Sequence, residues 1–545
     1  MSASGNTGRR AALAFRLTLG CLITGIILAF LLRGTLLGSP SQDIKGSFFY
    51  VWFARAELWI LAATVPAVLL AAWQWNRREP SPGTCPISDG RLTAILALAV
   101  FGIAVAGHFL VYFRFPLSMD EYNAVFQARL FLAGHIWAVL PDSLLPVEPF
   151  IRPIFVAYLE SKKAWMSFYQ PGFSLLYAPG LRAGVPWLLN PLLGAGSVFL
   201  AAGCARRLFP GTPRAPLAAA LILAGSNQVL FYGMGFYSMQ AHLFFNLLWL
   251  YLWMRNTPWS HAAAGILGAC AVHLHQPQVH ALFVLPFLAA LVLSKRWKLS
   301  AWYALAYGLS ALVFIGWLGL KTDGVEKGLV QTAGYFTWWP GHLLVQPMNL
   351  VLFLSWNTPA LLFFLCFLPA SAWKHPVLAP LGAGILLTFL FYLFFPANQG
   401  HGWGYRYAHA VLGNACLLGT AGFCACAATA PAKSIRLLAF STVAALAIQL
   451  PLHAFAARQF IAPFARADAW LDTLDTDLVV LPVRTVWYAQ DLMRNDPLAR
   501  RGPVRAHDLD LPSLERATPP AWRTFHLPAD GRGGLGLTPC PPPFP

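Results

Sequence analysis

Apolar runs of about 20 residues, the length a helix needs to cross the hydrocarbon core of a bilayer, recur from Ala11 almost to Phe460, separated by short polar clusters. This pattern predicts thirteen spans, at 13–37, 57–75, 92–113, 186–205, 214–232, 239–254, 262–275, 279–293, 300–319, 348–369, 376–396, 405–428 and 435–456. Spans seven and eight join through only Gln276, Pro277 and Gln278, a tight hairpin. If that pair does not fully cross, every later segment changes side. The first run follows Arg9 and Arg10 and is much longer than the apolar part of a signal peptide, so it is expected to stay as an uncleaved span.

Basic residues gather in alternate connections: Arg77, Arg78 and Arg91; Arg206, Arg207 and Arg214; Arg255; Lys295, Arg296 and Lys298; Lys374; Lys433 and Arg436. Lys and Arg accumulate on the cytoplasmic side of inner-membrane proteins, so these connections and the amino terminus are expected there. An odd number of spans then sends the carboxyl terminus outside. Three opposite-side segments are long: 114–185, 320–347 and the stretch after 456. The expected class is an all-α polytopic membrane protein with about thirteen transmembrane helices, interfacial helices in the first long loop and a small C-terminal soluble domain. Short β-like runs such as Leu478 to Leu481 give that last domain an α/β flavour. The division is an N-terminal hairpin at 1–91, a transmembrane module at 92–456 containing the 114–185 loop, and a domain and tail at 457–545.

Composition agrees with lipid as the solvent: 57% of residues are hydrophobic and 11% charged, too apolar for an ordinary soluble chain. The net charge of +17 does not indicate nucleic acid, because the cations sit in short clusters between apolar runs and form no continuous basic face. Nine cysteines lie mostly inside apolar runs without metal-type spacing, so neither a disulfide framework nor a zinc site is expected. His273, His275 and His280 straddle the tight hairpin, a place for a turn more than for a metal.

The most informative polar residues are Asp120 and Glu121, directly after the third span. Adjacent carboxylates at a membrane surface must be solvated, paired or used. Ser118 and Glu121 match a capping box, which would employ Glu121 at a helix start and leave Asp120 without a structural duty. The following residues, with Tyr122, Val125, Phe126, Leu130 and Leu132 among polar neighbours, suit a helix lying in the interface. Asp43, a single acid in a short loop after the first span, is the rival.

Asp-Glu at the end of a membrane helix, an interfacial helix, Tyr169-Gln-Pro-Gly-Phe, Pro186-Trp-Leu-Leu-Asn-Pro, Ala205-Arg-Arg-Leu-Phe, His342-Leu-Leu-Val-Gln-Pro and Gly404-Tyr-Arg-Tyr form an ordered set. Over about residues 92–430 it resembles bacterial membrane glycosyltransferases of the GT-C class, in the branch grouped with the protein O-mannosyltransferases and the lipid A aminoarabinose transferase. The resemblance implies a GT-C-like fold in the bacterial inner membrane with a site facing the periplasm. It also implies a polyprenyl-phosphate sugar as donor, a lipid, glycan or protein acceptor, and inversion at the anomeric carbon. The base role falls on Asp120, with Glu121 beside it. Two spans before the Asp-Glu helix depart from the family pattern and preserve its sidedness.

A polyprenyl phosphate is already a good leaving group, so such a site needs mainly a base and cations for the phosphate. Arg406, between Tyr405 and Tyr407, is the candidate phosphate clamp because a planar guanidinium meets phosphate oxygens at two points; an interfacial anchor is its structural alternative. Tyr169, Gln170, Arg152 and Lys162 in the long loop complete the substrate-binding candidates, with Lys163 adding charge. Pro171 and Gly172 set a turn that returns this loop to the membrane. No cofactor is assigned, a divalent metal stays open, and surrounding lipids are the other partners. The rival class is a transporter or flippase of lipid-linked sugars or small solutes, whose marks would be broken mid-membrane helices and an internal repeat.

Overall fold

In a bilayer core a backbone finds no water, so every amide must bond within its own segment and the apolar runs fold as helices. The computed structural model describes residues 3–38, 52–77, 88–334, 336, 342–395, 401–498 and 502–529. Its first three helices are α1 (Ala3–Gly38), α2 (Leu58–Asn76) and α3 (Asp89–Leu110), followed by α4 (Met119–Leu132) and α5 (Gly172–Arg182) in the first long loop. The middle of the chain forms α6 (Leu189–Leu208), α7 (Ala215–Ala224), α8 (Asn227–Met234), α9 (Met239–Trp253), α10 (Pro258–Ala271), α11 (Pro277–Leu293) and α12 (Trp297–Lys321). Then come α13 (Val325–Ala333), α14 (His342–Ser355), α15 (Ala360–Leu365), α16 (Leu378–Phe391), α17 (Leu412–Ala427), α18 (Pro431–Ala444) and α19 (Leu450–Leu471).

Among the described residues, seven helices are long and apolar enough to cross a membrane: Asn6–Gly34, Phe53–Asn76, Asp89–Leu110, Pro186–Leu208, Trp297–Lys321, Arg406–Ala427 and Pro431–Leu471. They coincide with seven of the thirteen expected spans. The pair α7 and α8, bent by 58° at their junction, counts as an eighth if the two helices form one broken span. The remaining expected spans fall on shorter helices, and the run at 348–369 is divided between α14 and α15. Outward-facing Leu98, Leu312 and Val443 are 68%, 66% and 62% exposed, as expected of surfaces solvated by acyl chains.

Contacts sort the connections into two ends. Thr7 and Thr429 share a hydrogen bond of 2.8 Å, and Arg296 donates to Asn256 at 2.9 Å. At the opposite end the Ser161 hydroxyl donates to Asp323 at 2.6 Å, Phe173 N–H donates to the Leu274 carbonyl at 3.1 Å, and Arg458 reaches the Leu110 carbonyl.

The N-terminal hairpin is tied into the rest by Glu57, which closes a π-helical turn at Phe53–Glu57. Its carboxylate accepts from Ser355 at 2.7 Å and from the Trp356 indole at 3.0 Å, and lies 3.5 Å from His453. Asp43, the rival acid, lies outside the described residues.

Two small sheets sit at the end bearing the long loop. Strands β1 (Ala138–Val139), β2 (Val156–Leu159) and β3 (Ala164–Ser167) form an antiparallel sheet in the order β1-β3-β2. In the C-terminal segment, β4 (Leu478–Leu481) pairs in parallel with β5 (Val504–His507) and β6 (Thr524–His526), and helix α20 (Leu511–Ala517) joins the outer strands. The final long helix runs on past the expected end of span thirteen at 456 to Leu471, through a π-helical stretch at Ala445–Gln449. Beyond it the segment shares one buried cluster with the loop: Met119, Tyr122, Phe126 and Trp165 meet Leu478, Val480, Ala506 and Leu514. Loop and tail therefore occupy the same side of the membrane region.

Helices close up where side chains vanish. A Cβ on Gly422 of α17 would overlap the Phe364 carbonyl of α15, whereas one on Gly102 of α3 would meet nothing within 4 Å. Gly422→Ala should lower stability by about 1–3 kcal/mol, as overpacking does, while Gly102→Ala should be near neutral. Thermal unfolding of the detergent-solubilised variants checks this; equal melting temperatures would contradict the close approach.

Candidate active site

The site begins at the start of α4. Ser118 sits in extended conformation before the helix, its hydroxyl accepting from Glu121 N–H at 3.3 Å, while Glu121 Oε2 accepts from Ser118 N–H at 3.1 Å. This is the expected capping box, and it satisfies donors that a helix start leaves open. Glu121 does more: its other oxygen accepts from Phe236 N–H at 2.8 Å, tying α4 to the turn after α8. Burial pushes the Glu121 carboxyl up to about 7, against the Phe236 and Ser118 amides, which lower it.

With Glu121 turned inward, Asp120 projects from the same helical turn toward other partners. Its Oδ2 lies 2.8 Å from Arg406 Nη1, and its Oδ1 accepts from the Tyr169 hydroxyl. Both charged side chains are less than a tenth exposed. Burial raises the Asp120 carboxyl, but the charge of Arg406, then His275, and the Tyr169 hydroxyl outweigh it and hold it below the usual carboxylate range. Burial pushes the Tyr169 hydroxyl far up, the Asp120 charge adding to it, so it keeps its proton. Arg406 also donates to the Tyr407 hydroxyl at 3.1 Å, with its guanidinium over the Tyr407 and Tyr237 rings at 4.9 and 5.8 Å.

The turn that presents Arg406 depends on Gly404, whose φ of +61° suits glycine and whose absent Cβ leaves room for Gln228 Oε1, 2.5 Å from where it would lie. Gln228, at the bend between α7 and α8, accepts from Tyr405 N–H at 3.3 Å and donates to the Tyr405 carbonyl at 2.9 Å. Tyr405 itself points into the core and donates to Gln346 at 3.2 Å. On the loop side, the Tyr169 ring lies 3.9 Å from His275 and 5.2 Å from Phe155. The turn after it docks on the α10–α11 hairpin, with Gln170 and Gly172 N–H donating to the carbonyls of His275 and His273 at 3.3 and 2.7 Å.

Asp120, Tyr169, Arg406 and Tyr407 thus converge, although 286 positions separate the ion pair. Gln170 stands behind them, 3.1 Å from His273 Nδ1. Arg152 and Lys162 lie outside this group: Arg152 pairs with Glu148 at 3.5 Å, and Lys162 covers the Trp137 ring. Arg152 lines a polar cavity of about 580 Å³ with Tyr158, Phe168, Lys321 and Lys327. Lys321 donates to the Phe168 carbonyl at 2.6 Å, on the chain next to Tyr169.

Sequence reasoning does not single out Tyr237, Lys321 or Gln228, and it assigns His275 to a turn. None belongs to a motif. The only signal was that polar residues at the ends of apolar helices need partners.

The fold and site together define a polytopic membrane protein with a buried Asp–Arg pair where its long loop meets the helices. No family model matches the sequence, and no curated protein matches it. Among solved structures the chain is similar to ArnT from Cupriavidus metallidurans, in the apo state and bound to undecaprenyl phosphate. Each has a TM-score of 0.48 and 13% identity, covering 78% of this chain and 87% of that one.

Because the folded state holds the Glu121 proton more tightly than the unfolded chain, the stability this provides is fully present below about pH 4.5 and is lost as pH rises to about 7. Glu121→Gln, which can still close the capping box, should flatten that decline. Melting temperature against pH for the two proteins reads it out; parallel curves would contradict the assignment.

Proposed function

We propose that this chain is a GT-C-type membrane glycosyltransferase that moves one sugar from a polyprenyl phosphate to an acceptor outside the cytoplasm, with inversion. The observation that carries this reading is the buried pair of Asp120 and Arg406, with Tyr169 on the second carboxylate oxygen. A lone buried ion pair is a poor stabilising device, and perturbed carboxylates beside a fixed cation gather at functional sites.

The two members have complementary tasks. In the resting site Arg406 neutralises Asp120 and suppresses its basicity. A donor phosphate competes for the guanidinium fork and draws its charge away, so Asp120 becomes a better base once the donor is in place. The acceptor hydroxyl then attacks the anomeric carbon from the face opposite the phosphate and passes its proton to Asp120. The bond between sugar and phosphate oxygen breaks, and the departing polyprenyl phosphate carries the electron pair, stabilised by Arg406. Tyr169 and Tyr407 hold carboxylate and guanidinium in orientation. The polar cavity lined by Arg152, Lys321 and Lys327 is the proposed approach for the acceptor's polar head.

The reading assigns thirteen crossings, a cytoplasmic amino terminus, and a site and C-terminal segment facing the periplasm of a bacterial inner membrane. One observation favours the transporter alternative: the 58° break between α7 and α8. In the glycosyltransferase reading the break serves the site, because Gln228 there holds the turn bearing Arg406.

Asp120→Asn preserves shape but cannot take a proton, so transfer from radiolabelled undecaprenyl phosphate sugars should fall by roughly 10²-fold or more, while donor affinity should hold or rise because the carboxylate no longer competes for Arg406. Arg406→Lys loses the two-point contact and should weaken donor binding instead. Wild-type rates in Asp120→Asn would remove the base assignment, and liposome transport without any transfer would favour the transporter.

Sidedness has its own check. Reporters active only in the periplasm, fused near residue 140 and after residue 470, should both be active. A silent reporter at either position would contradict the orientation.

A further inference from the structure

Residues of the C-terminal segment reach both halves of the Asp120–Arg406 site. Asp491, 3% exposed, lies in a short 3-10 turn at Trp487–Leu492. Its Oδ1 accepts from the backbone N–H of Met119 at 3.2 Å, one residue before Asp120. Its Oδ2 lies 2.5 Å from His401 Nε2, on the strip of chain that turns at Gly404 to present Arg406. One buried carboxylate therefore bridges the segments that carry the acid and the guanidinium.

The surroundings reinforce the bridge. Arg494 donates to the Pro116 carbonyl and lies 3.6 Å over the Phe115 ring, just ahead of the capping box. The Tyr122 hydroxyl, one turn into α4, donates to the Asn495 carbonyl at 2.7 Å. Asn495 in turn donates to Ile151 of the loop and Arg505 of β5, at 2.5 and 2.8 Å. These contacts seize the start of α4 from outside, where Glu121 grips it from within.

We propose that Asp491 is a positioning residue for the site: it sets the distance between Asp120 and Arg406, and the C-terminal segment is part of the active-site frame. The inference rests on the assignment of Asp120 and Arg406 as the working pair. A carboxylate is suited to the task because its two oxygens accept in different directions from two separate donors, and charge-assisted bonds hold geometry more firmly than neutral ones. Asparagine retains this ability in part, since its oxygen can accept from Met119 N–H and its amide can donate to a neutral His401 ring nitrogen. Alanine retains none of it.

The test uses the full chain in nanodiscs, with Asp491→Ala, Asp491→Asn and the exposed control Glu515→Ala. Undecaprenyl phosphate is the binding probe, and amide hydrogen exchange is followed over residues 118–122 and 401–407. Asp491→Ala should weaken undecaprenyl phosphate binding by about tenfold, the scale of one lost hydrogen bond to a charged group, and speed exchange in both segments. Protection in β4, β5 and β6 should stay as in the control. Asp491→Asn should return affinity to within about threefold of wild type, a rescue that loss of bulk packing would not show. Unchanged exchange at either segment in Asp491→Ala would overturn the proposal, as would an Asn variant no better than Ala. If the wild-type protein fails to bind undecaprenyl phosphate while Asp491→Ala still loosens both segments, the bridge stands and the glycosyltransferase reading falls.

Discussion

The pairing of Asp120 with Arg406 is the interaction around which the rest of the molecule is arranged. Taking a carboxylate and a guanidinium out of water costs several kcal/mol per ion, and their attraction offsets this only when further hydrogen bonds complete each group. Here the hydroxyl of Tyr169 completes the acid and that of Tyr407 supports the cation. Each helper is held in turn: Tyr169 by its contacts with His275 and Phe155, Tyr407 by stacking at 4.4 Å on Tyr392. Removal of any member leaves a buried polar group without its partner.

That requirement explains why elements far apart in the chain meet here. Arg406 is presented by a glycine turn that Gln228 holds at the break between α7 and α8. Tyr169 is fixed by a loop whose amides pair with the α10–α11 hairpin. The start of α4 is gripped by Phe236 on one side and by Asp491 and Arg494 on the other.

The N-terminal hairpin fits the same logic. Glu57 binds Ser355, Trp356 and His453, and Trp356 lies 6.1 Å from Trp403, three residues before Arg406. An intramembrane acid is retained when its partners are provided. The two N-terminal helices are thereby joined to the region that holds the guanidinium.

The sequence by itself determined seven long apolar helices, since the length of hydrophobic runs follows from the thickness of a bilayer, but not the division of the run at 348–369 or the continuation of the last helix to Leu471. It also determined the capping box, because Ser118 and Glu121 interact over three residues; Asp120 and Tyr169 were marked through the resemblance, and Arg406 with Tyr407 through the fit of a guanidinium to phosphate. It could not separate these from Gln170, Arg152, Lys162 and Tyr405, since residue type is shared and only direction differs. Which carboxylate faces the guanidinium, the second duty of Glu121, and the arrival of Asp491 from 372 positions away were decided by tertiary structure. The physical reason is that hydrophobic periodicity and capping act within a few turns of a helix, whereas partners for buried charges are chosen by packing between helices, which leaves no regular spacing in the chain.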